Sequence, residues 1–319
     1  MRHRLADLDP GRVPAALAEL HGGLPVGTVA TLELPAALGL ERALDAVEGG
    51  GFEEIEATTE AHRAANADGA TGGAGVLAVE AVRARTLPDQ VAPGLRLLVC
   101  GLNPSLYAAD RGVGFARPGN RFWPAALSAR VASRDRDPRW LREVDRVGMT
   151  DLVKRATRAA DELDAEEYRR GAARLERLVR WLGPGATCFV GLAGWRAAVD
   201  RRATAGPLPG GFAGRPAYLM PNTSGLNAHA RLDDLAAHLR AALALVESGP
   251  TAPTAPGEPV ASGDEDASVG AGAARGTGDF VSGPYRFEAL AGVGHFATDE
   301  QPERVTALLL EHLRAHPAG

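Results

Sequence analysis

Cysteine is nearly missing from this 319-residue sequence, and the two present, Cys100 and Cys188, each sit inside an apolar run. That excludes a disulfide framework and leaves too few thiolates for a four-cysteine zinc site or an iron–sulfur cluster, so neither a metal nor a cofactor is expected. Long hydrophobic runs are missing too: nothing approaches about 18 consecutive apolar residues. The N-terminus MRHRLADLDPGR lacks the apolar core of an export signal, so no membrane partner and a cytoplasmic location are expected. No internal repeat is evident, no G-x-S-x-G nucleophile elbow occurs, and lysine appears once, at Lys154. The 45% apolar content is enough for one large core or two smaller ones, and the length suggests about two domains.

The net charge of −5 conceals an asymmetry. Residues 94–246 carry +9, whereas residues 1–93 and 247–319 carry −7 each. A basic middle between acidic flanks suits a polyanion partner, although an Arg-rich solvated surface would look the same by charge alone.

Composition divides the chain further. Residues 247–282 are rich in Pro, Gly, Ala and acidic residues with almost nothing large and apolar, and read as a disordered linker. A weaker break lies at TLPDQVAPG, residues 86–94. Between the breaks, apolar strands at Leu95 to Cys100, Thr187 to Gly191 and Pro216 to Met220 alternate with helical periodicity at Asn120 to Ala129, Ala165 to Leu182, Trp195 to Arg202 and Leu232 to Val246. The expected fold is a three-layer α/β/α arrangement around a short, mostly parallel central sheet, with its ligand crevice at the strand C-terminal ends. Residues 1–90 contain VGTVATLEL, ERALDAVEGGG, FEEIEAT and GVLAVEAV and read as an accessory α/β or α+β unit. They faintly resemble the last strands and helix of a class I methyltransferase domain, without the strand and G-x-G loop that would hold a nucleoside cofactor.

Two strand-end loops carry the chemistry. The first strand runs into Gly101-Leu102-Asn103-Pro104-Ser105, followed by Phe115 within GFARPGNRFW; the third runs into Pro221-Asn222-Thr223-Ser224-Gly225-Leu226-Asn227. Either loop alone is ordinary turn chemistry. Together with GMTDLVKRAT at 148–157 they resemble the mismatch-specific uracil-DNA glycosylase and thymine-DNA glycosylase family, over about residues 91–246. The resemblance implies a monomeric enzyme acting on double-stranded DNA that contains uracil or a mismatch. Such an enzyme flips the base into a pocket and hydrolyses its N-glycosidic bond, initiating base excision repair.

By that resemblance Asn103 orients the hydrolytic water. A carboxamide can position water but cannot take its proton, which implies modest turnover. Leu102, Ser105, Phe115 and Asn222 line the base pocket, with Phe115 stacking on the base and Asn222 donating to it together with first-loop N–H groups. Ser105 stands where the nearest relatives have Gly, so its hydroxyl is placed to contact the base or narrow the pocket. Gly225 and Leu226 form the wedge that replaces the flipped nucleotide, and Thr223 and Ser224 suit DNA phosphates. Ala228 replaces an Arg common in relatives. Lys154 is read as a solvated or phosphate-contacting charge, and the shortage of amine nucleophiles implies a monofunctional enzyme.

Residues 283–319 resemble the end of an α/β-hydrolase, with His295 at the place of the general base. Two other functions remain open on sequence: an inactive mismatch- or damage-binding module using the same crevice, and an esterase-like hydrolase using His295, against which the missing elbow speaks.

Overall fold

The computed structural model describes residues 1–58, 75–225, 227, 230–247, 260–263, 287–290, 304 and 307. Leu226, Ala228, His229, His295, most of the expected linker and most of the hydrolase-like segment lie outside the described residues. The chain divides into two compact units, Met1–Pro250 and Thr251–Gly319. In the second, strands Val260–Gly263 and Phe287–Leu290 pair in parallel. Residues 260–263 of this pair fall within the stretch expected as a linker.

The central sheet of the first unit follows from strands that are apolar on both faces. Strands β5 (Leu97–Gly101), β6 (Val147–Asp151), β7 (Ala186–Val190) and β9 (Ala217–Met220) are parallel, and the short β8 (Gly206–Pro207) pairs antiparallel with β9. Their order is β6-β5-β7-β9-β8. Side chains alternate in β5: Leu97 and Val99 face α4 (Phe122–Ser128) and α8 (Leu232–Glu247), while Leu98 and Cys100 face α6 (Ala165–Leu182) and α7 (Leu192–Ala198). Two covered faces explain why these strands read as unbroken apolar runs.

Helix α6 has sharp ends. Asp164 and Glu167 form a capping box at its start, and Gly183 adopts a left-handed conformation just past its end. Helix α7 starts three residues before the sequence-predicted position, directly after Gly191 (φ 101°), and ends at Ala198.

The accessory segment is a real sheet. Strands β1 (Arg2–Arg4), β2 (Val29–Pro35), β3 (Phe52–Thr58) and β4 (Val76–Arg83) run in the order β1-β2-β4-β3; β1 is parallel to β2 and the other pairs are antiparallel. Helices α1 (Val13–Gly23) and α2 (Gly39–Gly49) cover it through Val13, Leu17, Ala43 and Val47. Helix α2 meets α6, where Arg177 grips Asp45 at 2.6 and 2.8 Å. Such a partly exposed ion pair contributes up to about 1 kcal/mol. Trp181 packs against both the accessory core and the α6 face of the central sheet, and burial of an aromatic ring is the larger contribution to docking.

Candidate active site

Strands β5, β6 and β9 are parallel, so Asn103, Asp151 and Asn222 emerge at one edge of the sheet. Asn103 is half-buried, and its orientation follows from its neighbours. Its Nδ2 donates to the carbonyl of Arg155 at 3.0 Å and to Thr157 Oγ1 at 2.8 Å, while Thr157 Oγ1 itself donates to the Ala159 carbonyl at 2.8 Å. A carbonyl can only accept, so the amide nitrogen must face the 155–157 segment. Oδ1 is left on the side away from that segment, with no hydrogen bond among the described residues.

Phe115 sits beside this loop in the left-handed region, at φ 56°, unusual for a non-glycine residue. Three contacts hold it there. Its ring stacks on Phe122 with centroids 4.3 Å apart, Trp123 Nε1 donates to the Gly114 carbonyl at 2.8 Å, and its Cζ lies 3.3 Å from where a Cβ on Gly101 would be. Glycine at 101 is what lets the ring edge approach β5. Phe115 remains half-buried and is not sealed in the core.

In the second loop Asn222 is exposed, and its Oδ1 accepts from the Ser224 N–H at 2.8 Å. An N–H can only donate, so Nδ2 is the group Asn222 presents. Arg121 braces this loop: Nη2 donates to the carbonyls of Ser224 (2.9 Å) and Asn227 (2.6 Å), Nη1 to that of Ala230, and its backbone N–H to that of Thr223. A Cβ on Gly225 would lie 2.7 Å from the Gly119 carbonyl, so glycine is required where the two loops touch.

The model of the uracil DNA glycosylase superfamily matches residues 88–246. These residues are a uracil DNA glycosylase superfamily domain. Other expected positions in this glycosylase-superfamily domain are occupied differently. Leu102 is half-buried and turns its side chain onto Gly194 of α7, against the core on that face of the sheet. Ser105 caps α3 (Leu106–Arg111), its Oγ accepting from the Ala108 N–H at 3.2 Å. Thr223 is fully buried, which corrects its assignment as a phosphate contact: its hydroxyl does not reach the surface. Ser224 is half-buried, Gly225 is exposed, and the wedge residue Leu226 lies outside the described residues.

Lys154 is a second correction. It is buried, with Nζ 2.7 Å from Asp89 Oδ1, while Arg174 Nη1 lies 2.8 Å from Asp89 Oδ2. These two cations hold the Asp89 carboxyl below the usual carboxylate range against the opposing effect of burial. Burial pushes the Cys188 thiol up to about 12 and raises that of Cys100 well above its ordinary value, so neither is a nucleophile.

Sequence reasoning missed Thr157, Arg121 and Asp89. A lone Thr or Arg carries no motif, and Asp89 lies 65 residues from its lysine partner.

Proposed function

We propose that this chain is a monofunctional DNA glycosylase of the mismatch-specific and thymine-DNA glycosylase type. It hydrolyses the N-glycosidic bond of uracil in double-stranded DNA, above all uracil mispaired with guanine, and its range extends to thymine or modified cytosine. The single observation that carries this reading is the opposite engagement of two carboxamides: Asn103 presents an acceptor and Asn222 a donor at the same sheet edge.

The reaction calls for both. An extruded pyrimidine enters the crevice and stacks against Phe115, an interaction that contributes about 1–3 kcal/mol toward unstacking the duplex. Oδ1 of Asn103 accepts a hydrogen bond from water and holds its lone pair toward C1′ of the sugar. As the C1′–N1 bond lengthens, positive charge gathers on the sugar and negative charge on the base. Nδ2 of Asn222 and first-loop N–H groups donate to the base carbonyls and stabilise that charge where it develops. The product is an abasic site. No strand nick follows, because Lys154 is held by Asp89 and is not available to form a Schiff base.

The test is incubation of the protein with oligonucleotides carrying uracil opposite guanine, uracil opposite adenine, single-stranded uracil, and thymine opposite guanine, followed by alkali. Alkali-labile cleavage at uracil is expected, strongest opposite guanine. Retarded mobility of mismatched DNA with no cleavage in any uracil context would sink the assignment in favour of an inactive binding module.

A further inference from the structure

The crevice holds one polar group that neither carboxamide accounts for. Asp151 ends β6 directly opposite Gly101 in the strand register. A Cβ on Gly101 would run into Asp151 Oδ1, and would lie 3.3 Å from Phe115 Cζ, so the carboxyl group occupies the space beside the ring edge that glycine leaves open. A cavity of about 20 Å³, room for about one water, is lined by Phe115, Asp151, Gly114 and Met149. Asp151 is half-buried, and its carboxyl oxygens have no ion pair or hydrogen bond among the described residues. The nearest cations are engaged elsewhere: Lys154 and Arg174 both hold Asp89, and Arg174 Nη2 reaches only the backbone carbonyl of Asp151, at 3.0 Å.

An ionised carboxylate beside a base that is gathering negative charge opposes bond cleavage, whereas a neutral carboxyl group donates a hydrogen bond to it. Building on the glycosylase reading, we propose that Asp151 is a further base-contacting residue that works in its neutral form, donating its proton in a hydrogen bond to a carbonyl oxygen of the extruded pyrimidine. Excision then depends on pH through this one side chain.

The surroundings favour the neutral form. Burial raises the Asp151 pKa to about 6; the charge on Asp89 adds to the rise, while Lys154 and Arg174 oppose it. From β5, Cys100 faces the same region as an uncharged thiol, and the charged groups that act on Asp151 are Lys154, Asp89 and Arg174. Above about pH 6 the donor is lost progressively, so the rate falls as pH rises.

Single-turnover excision of uracil opposite guanine, followed from about pH 5 to about pH 9, tests this in the unaltered chain, Asp151→Asn and Asp151→Ala. The unaltered chain is expected to lose activity above about pH 6, approaching tenfold per pH unit. Asp151→Asn keeps a donor at every pH, so its profile should be flat over this limb and exceed the unaltered chain by about tenfold or more near pH 8. Asp151→Ala should be equally flat but slower than Asp151→Asn throughout. A flat profile for the unaltered chain overturns the proposal, as does an Asp151→Asn variant that follows the unaltered profile or is inactive at every pH. Failure of the unaltered chain to excise uracil at any pH overturns instead the glycosylase reading, and this inference with it.

Discussion

The two loops at the sheet edge carry the same side chain and use it in opposite senses. In the first, the nitrogen of Asn103 is bound to the 155–157 segment and the oxygen is presented; in the second, the oxygen of Asn222 is bound to its own turn and the nitrogen is presented. Their supports differ as well. The first loop is tied to the 155–157 segment through the backbone, with Thr157 N–H donating to Pro104 O at 3.1 Å and Leu106 N–H to Thr157 O at 3.2 Å. The second has one backbone tie to a neighbouring segment, from the Arg121 N–H to Thr223 O at 2.9 Å, and is braced mainly by the Arg121 guanidinium reaching across. A carboxamide has no fixed chemical role; the group that consumes one of its ends decides which role is left.

The comparison can be broken by substitution. The largest effect is expected for Asn103→Ala, a fall in kcat of about 10²–10⁴-fold with little change in DNA binding, read by single-turnover excision beside mobility shift. Retained activity would remove Asn103 from the reaction. Arg121→Ala should act through the second loop, raising KM by about 10–100-fold with a smaller change in kcat, because three carbonyls lose a charged donor. Thr157→Ala should lower kcat by about fivefold, the loss of roughly one hydrogen bond that orients Asn103, and Thr157→Ser should restore it. A rise in KM for Thr157→Ala like that of Arg121→Ala would erase the distinction between the loops. The smallest effect is expected for Ser105→Ala, which removes the cap of α3 and costs about 1 kcal/mol in thermal or denaturant unfolding, with excision near that of the unaltered chain.

Much of the fold was legible because burial on both faces writes strands as unbroken apolar runs, and β5, β7 and β9 all show it. Strand β6 escaped notice because Gly148 and Thr150 dilute its pattern. Gly148 is glycine for a packing reason: a Cβ there would lie 3.1 Å from the Gln90 carbonyl and closer still to Leu95. The loops holding Asn103 and Asn222 could be picked out because each is a run of turn residues after a strand, but the roles of the two side chains came from the family resemblance and not from the loops themselves. Asp151, Thr157 and Arg121 could not, since their roles come from partners far away in the chain. Lys154 was misread for the same reason: in an Arg-rich stretch a lysine looks solvated until the distant Asp89 is seen beside it.

Asp89 also bears on where the domain begins. The family match starts at residue 88, inside the composition break, and the carboxylate at 89 pairs with both Lys154 and Arg174 inside the protein. A fragment trimmed to begin at residue 91 would keep both cations and lose their shared counterion. Leaving charge stranded in a low-dielectric interior costs about 3–5 kcal/mol, a large share of what holds a domain of this size together. Three residues at the start of the domain therefore decide whether two buried cations keep their counterion.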